Sequence, residues 1–123
     1  MDYLIGHLIG DYLLQSDWQA NNKTYENRKW VGLLIALYHA ALWTFAIWIS
    51  SIIAKENWTI LSLIIMWLFH AFQDWTRFPK KFIEKRNQFA HFRDNAKDAY
   101  IWACILVDNI FHLLMLFLLR ELL

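Results

Sequence analysis

The sequence predicts an all-α fold, a polytopic membrane protein whose four transmembrane helices form a single domain over residues 1–123. Composition is the first indication, because 59% of the residues are hydrophobic, whereas an average soluble domain is about 45–50% apolar. The distribution of charge is the second, since Lys and Arg are absent from four long segments of the chain. Apolar segments of about 20 residues without charge are typical of transmembrane helices.

The first two helices are expected at about 2–18 and 31–54. The first is short or tilted in this interpretation, because His7, Asp11 and Gln15 interrupt its apolar character. The second contains no formally charged residue. At about 1.5 Å per residue it would extend roughly 36 Å, enough to cross a hydrocarbon core of about 30 Å. A soluble bundle with a large core is the alternative, but a buried soluble helix rarely needs so long an apolar run.

The third and fourth helices are expected at about 58–78 and 98–120. Pro79 follows the third segment, where its ring would disrupt a continuing helix. Asp98 is the first residue of the fourth helix, where its side chain can accept hydrogen bonds from the free backbone amides of the first turn. Between these helices, residues 79–97 combine apolar and basic side chains in a pattern typical of a short amphipathic helix on a membrane surface. A solvated basic loop is the alternative.

The basic residues also predict the orientation of the chain. Ten of the 12 Lys and Arg residues lie in two loops, 16–30 and 77–97. Cytoplasmic loops carry an excess of Lys and Arg, so both loops are expected on the cytoplasmic face of the inner membrane, with the lipid bilayer as partner. The formal net charge of +1 argues against a nucleic-acid partner. The single Cys104 excludes a disulfide framework and a cysteine-rich zinc module.

The apolar segments contain seven polar residues of types that bind metal ions. Six of them form pairs at i, i+4 spacing, which places both side chains of a pair on one helix face. The set consists of His7/Asp11, His70/Asp74, Asp108/His112 and the lone His39. Three of the four predicted helices therefore present a His–Asp pair, and the remaining helix presents a histidine.

Burial of three carboxylates in the spans requires compensation. An intramembrane Asp costs roughly 2.5–3.5 kcal/mol at mid-helix by insertion scales, and residues 3–22, 31–54, 58–76 and 98–119 contain no Lys or Arg to neutralise it. Protonation, an imidazolium partner or a bound cation would each relieve this cost. Because carboxylates and neutral imidazoles bind divalent ions, all seven residues are candidate ligands of Zn²⁺, with Mn²⁺ or Mg²⁺ as alternatives. Hydrogen bonds that only hold helices together are the other interpretation.

Two small residues beside the first pair, Gly6 and Gly10, form a G-x-x-x-G motif. Small residues at this spacing allow two helices to approach closely. The partner helix lies either in the same chain or in a second copy, so a homo-oligomer formed through Gly6 and Gly10 is one expectation.

The order of the polar elements is similar to that of a known family. The elements are His7-x-x-x-Asp11-x-x-x-Gln15-Ser16-Asp17-Trp18 followed by Asn22-Lys23, the lone His39, His70-x-x-x-Asp74, and Asp108-x-x-x-His112. Over nearly its whole length the chain resembles the domain-of-unknown-function 3307 family of small bacterial and phage integral membrane proteins. It departs from the family at Asn109, where Gln is expected, and in its very short turn at 55–57. The resemblance implies a membrane fold and a role for these residues. More loosely, the pattern is similar to that of membrane-bound metal-dependent hydrolases.

Three functions are compatible with these features. An intramembrane metalloenzyme would use a bound ion to activate water against a lipid or isoprenoid phosphate at the inner leaflet, with Arg77 and Lys80 at the rim contacting the anionic headgroup. Asp11, Asp74 and Asp108 are the candidate catalytic residues, since an uncoordinated carboxylate can carry a proton. A proton or cation transporter or channel component would need polar residues in both leaflets, whereas the outer halves are apolar. In a non-catalytic membrane scaffold, the His–Asp pairs would only hold helices together.

Overall fold

The computed structural model describes residues 2–123, and every regular element in that range is helical. The elements, in chain order, are α1 (Asp2–Leu8), the π-helical turn π1 (Ile9–Leu13), α2 (Asp17–Asn22), α3 (Tyr25–Ile53), α4 (Ile60–Thr76), α5 (Phe78–Lys85), α6 (Ala90–Asn95) and α7 (Lys97–Leu122). The expected all-α class is confirmed.

Two of the helices, α3 with 29 residues and α7 with 26, are long and apolar enough to cross a membrane. α4 is apolar as well but has only 17 residues. In the most apolar stretch of α7 only 17% of the residues are buried, against 44% in α3. Most of the apolar surface of α7 therefore faces away from the rest of the chain.

The segment expected to form one helix over 2–18 is divided in the structure. α1 continues into π1, and the helix then ends before Ser16. Ser16 begins α2 with a capping box: its Oγ accepts a hydrogen bond from the amide of Gln19 at 3.2 Å, and its own amide donates to Gln19 Oε1 at 2.9 Å. These reciprocal bonds satisfy amides that a helix start leaves free. They stabilise a new helix start where apolar patterning predicts a continuous helix.

The second helix begins six residues earlier than expected, at Tyr25 rather than residue 31. Thr24 caps it by accepting a hydrogen bond from the amide of Asn27 at 3.3 Å. The helix is kinked at Lys29, whose φ is 48° and ψ −125°. At the kink, the carbonyl of Lys29 accepts a hydrogen bond from the indole of Trp75 at 2.9 Å. This bond links the start of α3 to the end of α4.

The basic segment 79–97 contains two short helices, α5 and α6, rather than a single amphipathic one. Arg77 separates α4 from α5 in a left-handed conformation, with φ 53°, and Pro79 occupies the first turn of α5. Ile83 is fully buried, and the ring of Phe82 packs edge-to-face against Phe111 of α7 at 5.4 Å. α5 is therefore attached to the bundle by its apolar face.

The two glycines of the G-x-x-x-G motif pack against α3 of the same chain. A Cβ atom on Gly6 would lie 2.5 Å from the Cα of Ile47, and one on Gly10 would lie 2.5 Å from Cδ1 of Trp43 and 2.9 Å from its Cα. The backbones of α1 and π1 thus approach α3 at distances that only glycine permits. Of the two partners that the sequence allows for this motif, the structure thus places α3 of the same chain against it.

The buried apolar core joins α3, α4 and α7. One cluster consists of Trp43, Ile47, Met66, Met115, Leu116 and Leu119. A second cluster, of Ala36, Ala40 and Ala71, lets α3 and α4 approach closely near the other end of these helices. Buried histidines adjoin both clusters, since His39 and His70 lie next to Ala40 and Ala71 of the second cluster and His112 lies one turn before Met115 of the first.

Substitution of Gly6 or Gly10 by valine is expected to destabilise the protein. The clash with the α3 backbone should cost about 1–3 kcal/mol, which exceeds the gain of about 0.5–1 kcal/mol from replacing glycine inside a helix. The midpoint of chemical denaturation in detergent should therefore fall for Gly6→Val and Gly10→Val. Ile5→Val is the matched control, because Ile5 lies on the same helix and is 58% exposed. Equal midpoints for all three variants would contradict the close packing of α1 on α3.

Candidate metal centre

The structure brings the seven residues singled out by the sequence close together. The side chains are His7 from α1, Asp11 from π1, His39 from α3, His70 and Asp74 from α4, and Asp108 and His112 from α7. The four imidazoles are fully or almost fully buried, and the Asp74 side chain keeps 4% of its surface exposed. Asp108 lies at the edge of the cluster, with its side chain 37% exposed. The site therefore has a buried interior and one more accessible carboxylate.

Asp11 occupies the centre of this cluster. Its Oδ1 lies 3.3 Å from Nε2 of His39 and 3.8 Å from Nε2 of His70. Its Oδ2 lies 3.4 Å from Nδ1 of His7 and 3.8 Å from Nδ1 of His112. The two oxygens of one carboxylate thus face two different pairs of histidines. Asp11 lies in the π-helical turn, a feature frequent at functional sites.

Asp74 is the second buried carboxylate of the cluster. Its Oδ2 lies 3.1 Å from Nε2 of His70 and 3.6 Å from Nε2 of His39. The same oxygen accepts a hydrogen bond from Nζ of Lys23 at 2.7 Å, and Lys23 also donates to Oε1 of Gln15 at 3.1 Å. Asp74 is therefore neutralised by a basic side chain from outside its own helix.

This contact corrects the expectation that the buried carboxylates have no cationic side chain as a partner. The expected spans contain Lys and Arg only at their ends, at Arg77 and Arg120, but Lys23, which follows α2 directly, reaches the cluster from outside them. The contact spans 51 positions in sequence, so no local spacing rule predicts it. The only sequence signal was the Asn22-Lys23 dipeptide within the motif that carried the family resemblance.

His7 is held by two hydrogen bonds to neighbouring side chains. Its Nδ1 accepts a hydrogen bond from the indole of Trp43 at 3.0 Å, so the proton of the neutral ring lies on Nε2. Nε2 then donates to Oδ1 of Asn109 at 2.8 Å, and the amide nitrogen of Asn109 donates to the hydroxyl of Tyr12 at 2.9 Å. Both nitrogens of His7 are therefore engaged, and binding of a metal by Nδ1 would require displacement of the Trp43 hydrogen bond.

The other three histidines have no such partners. Neither ring nitrogen of His39, His70 or His112 forms a hydrogen bond with any described residue, and Oδ1 of Asp11 likewise forms none. Buried polar groups are normally hydrogen-bonded. The rings of His70 and His112 stack at 4.2 Å between centroids, and Trp43 stacks on His70 at 4.1 Å. The imidazoles are thus fixed by packing while their nitrogens remain available to a ligand.

Three overlapping groups of donors have the spacing needed to hold a metal ion. Within each group, one ligand atom from each residue lies within 4.8 Å of the others. The groups are His7, Asp11 and His112; Asp11, His39 and His70; and His70, Asp74 and His112. Nitrogen and carboxylate oxygen are donors that suit Zn²⁺ and related first-row ions.

A cavity of about 380 Å³ opens over the carboxylates of the cluster. Acidic residues of the cluster line it, namely Asp11, Asp74 and Asp108, together with three basic residues, Lys23, Arg77 and Lys80. The two residues expected to contact an anionic headgroup therefore lie at the cavity. Arg77 also pairs with Glu26 at 3.1 Å, and Lys80 with Glu84 at 3.5 Å. Both pairs are partly exposed, so solvent screens them and they can exchange partners.

These features define a small all-helical protein with a buried His/Asp cluster that could hold a metal ion and with two helices apolar enough to cross a membrane. The chain belongs to the family described as Protein of unknown function (DUF3307), whose model matches residues 1–123 and therefore the whole chain. The resemblance seen in the sequence is thereby confirmed. No curated protein and no solved structure matches the chain.

The ion pair between Lys23 and Asp74 predicts a strong coupling between these two residues. Lys23→Met should destabilise the chelator-treated protein by about 3–5 kcal/mol, because it leaves a buried carboxylate without its cation. The double variant Lys23→Met/Asp74→Asn should recover part of this loss, which a double-mutant cycle would measure as a coupling energy above about 1 kcal/mol. Lys85→Met, at an exposed position of α5, is the control. A Lys23→Met variant as stable as this control would contradict the ion pair.

Proposed function

We propose that the protein is a multi-pass protein of the inner membrane that binds a divalent metal ion, with Zn²⁺ as the preferred ion. With this ion it hydrolyses a lipid or isoprenoid phosphate at the inner leaflet. One observation carries the proposal. Three buried histidines, none hydrogen-bonded to a described residue through its ring, converge on the carboxylates of Asp11 and Asp74. A divalent cation satisfies imidazole and carboxylate donors together.

The exposed apolar surface supports a membrane location. α3 and α7 are long enough to span a hydrocarbon core of about 30 Å. Large apolar side chains on them point outwards, as with Leu34 at 67% exposure and Trp102 at 68%. Large exposed apolar patches are rare in soluble monomers. α4, with 17 residues, extends about 26 Å at 1.5 Å per residue and would form a third pass. α1 and π1, with 7 and 5 residues, extend about 18 Å on the same measure and would enter the membrane from the cytoplasmic side.

The position of the cavity supports access from the cytoplasmic side. The residues that line it include Asn21, Lys23 and Asn27 from loop 16–30 and Arg77 and Lys80 from loop 77–97. These two loops carry ten of the 12 basic residues, and an excess of Lys and Arg marks cytoplasmic loops. A substrate would thus enter at the inner leaflet, where basic side chains also attract anionic headgroups.

The composition of the cavity supports a phosphate ester as substrate. A bound divalent ion would supply a Lewis acid that polarises a phosphoryl oxygen and activates water. Arg77 and Lys80 would contact the remaining anionic oxygens, since their present acidic partners are exposed and exchangeable. Asp11 and Asp74 would hold the ion, and the imidazoles of His39 and His70 face the same two carboxylates.

A second, apolar cavity supports a lipid rather than a soluble phosphate. It has a volume of about 510 Å³ and lies between α4, α5 and α7, where Phe69, Phe78 and Phe111 form part of its lining. Phe78 lies directly between Arg77 and Pro79, which line the polar cavity. A phosphate headgroup in the polar cavity could therefore have its apolar chain in the adjacent groove.

The apolar core argues against a transport pathway. Beyond the histidines, a buried cluster that includes Trp43, Met66 and Leu116 joins α3, α4 and α7. A path for protons or cations would need polar groups across both leaflets. A non-catalytic scaffold is the second candidate function, and the Lys23–Asp74 ion pair at 2.7 Å favours it, because this pair neutralises one buried carboxylate without a metal.

Metal content distinguishes these two candidates. Elemental analysis of the detergent-purified protein should find a stoichiometric transition metal in the wild type and none in Asp11→Asn/Asp74→Asn, because the double variant removes both charged ligands. His91→Gln/Asp94→Asn is the matched control, since these residues are exposed on α6. Helical circular dichroism and gel-filtration elution would establish that each variant is folded. A wild type that stays free of metal after incubation with Zn²⁺ or Mn²⁺ would favour the scaffold.

Hydrolysis should depend on the two basic residues at the cavity rim. With a lipid phosphate in mixed micelles, Arg77→Gln and Lys80→Gln should each raise KM several-fold while leaving the metal content unchanged, because they contact the headgroup and not the ion. Phosphate release is the readout, and Lys85→Gln on the same helix is the control. Unchanged KM in both rim variants, with turnover present in the wild type, would contradict their assignment to the headgroup.

A further inference from the structure

We propose that the cluster binds two divalent ions, with the carboxylate of Asp11 bridging them. This inference rests on the metal binding of the proposed function and specifies its chemistry. Its basis is the orientation of Asp11, whose Oδ1 faces His39 and His70 while its Oδ2 faces His7 and His112. One carboxylate can bind a separate ion through each of its oxygens.

The first ion position lies on the Oδ1 side of Asp11. Its donors are Oδ1 itself, Nε2 of His39, Nε2 of His70 and Oδ2 of Asp74. This last oxygen also accepts the hydrogen bond from Lys23 at 2.7 Å, but a carboxylate oxygen has a second lone pair for the ion, which an imidazole nitrogen lacks. The two Nε2 atoms, of His39 and His70, lie 3.3 Å and 3.8 Å from Oδ1 of Asp11. The same two atoms lie 3.6 Å and 3.1 Å from Oδ2 of Asp74. Ligands about 2.0–2.2 Å from a tetrahedral zinc ion lie roughly 3.3–3.6 Å from one another. The four His–Asp distances are therefore close to those of a tetrahedral set, and Asp11, His39 and His70 already form one of the three groups whose ligand atoms lie within 4.8 Å of one another.

The second ion position lies on the Oδ2 side of Asp11. Nδ1 of His112 lies 3.8 Å from this oxygen and 3.6 Å from Oδ2 of Asp108. Asp11 and His112 belong to one of the three groups whose ligand atoms lie within 4.8 Å of one another, and Asp108 does not. Its more exposed carboxylate would turn towards the ion, and these donors would leave further coordination positions for water or substrate, as catalytic sites require. Asp108 is also the most exposed carboxylate of the cluster, and it lines the polar cavity. The second ion would therefore be the one that faces the substrate.

His7 is excluded from this ligand set by its own hydrogen bonds. Trp43 and Asn109 occupy its two nitrogens, and its ring lies 5.7 Å from that of His112. His7 would act as a positioning residue that packs beside the second site. This division gives each of the other six polar residues one role.

Two ions also match the charge of the proposed substrate. Their four positive charges exceed the three carboxylates of the cluster, and Lys23 adds a further cation nearby. The surplus positive charge favours a phosphate ester. Two ions about 3.5–4 Å apart stabilise both the attacking and the leaving oxygens of a phosphoryl displacement.

Metal stoichiometry and manganese spectroscopy test the proposal together. Wild type loaded with Mn²⁺ should contain two ions per chain and give the electron paramagnetic resonance signal of an exchange-coupled pair. Asp108→Asn/His112→Gln should retain one ion and give the six-line spectrum of isolated Mn²⁺, because only the second position is lost. Asp11→Asn should reduce binding at both positions. The single variants Asp108→Asn and His112→Gln serve if the double variant does not fold, and His91→Gln/Asp94→Asn is the control.

The outcomes separate this proposal from the one on which it rests. One ion per wild-type chain, with a six-line spectrum, would overturn the bridged pair and leave the metal-dependent function standing. Two ions that persist in Asp108→Asn/His112→Gln would place the second ion elsewhere and also overturn it. A wild type that binds no Mn²⁺ or Zn²⁺ would overturn both proposals.

Discussion

Burial of the Asp11 and Asp74 carboxylates among apolar helices is the constraint on which the rest of the structure depends. A buried charge is tolerated only where other groups compensate it. Lys23 compensates Asp74, at 2.7 Å. Asp11 has no basic side chain at this distance among the described residues, and its neighbours are the four imidazoles. A bound metal ion would therefore stabilise the structure most by compensating the charge of Asp11.

Several structural features follow from the need to hold these carboxylates in place. Gly6 and Gly10 let the first segment lie against α3, and the π-helical turn then carries Asp11 into the centre of the cluster. The helix ends shortly afterwards, and the capping box at Ser16 starts α2, whose C-terminal end carries Lys23 back towards Asp74. A continuous helix over 2–18 could not return Lys23 in this way. The division of the first segment and the ion pair thus depend on each other.

The sequence predicts the parts of this site that depend on local periodicity. The i, i+4 pairs share helix faces, so the grouping of His70 with Asp74 and of Asp108 with His112 follows from helix geometry. The contacts of Lys23 and Asn109 join residues far apart in the chain, and no spacing rule reaches them. Trp43, whose indole fixes His7, cannot be distinguished in the sequence from the other apolar residues that form the core. The π-helical turn and the break at Ser16 were missed because local capping prevailed over apolar patterning.

The same reasoning explains why the histidines divide into two kinds. The ring of His7 is fixed by the indole of Trp43 as donor and by the side-chain oxygen of Asn109 as acceptor. A neutral imidazole that is held in this way has both of its nitrogens engaged. His39, His70 and His112 are instead held by stacking and burial, with ring centroids at 4.2 Å for His70 and His112. Stacking fixes the orientation of a ring without engaging its nitrogens. A cluster that only joined helices would gain from hydrogen bonds at these atoms, so their availability is better explained by a ligand than by helix association.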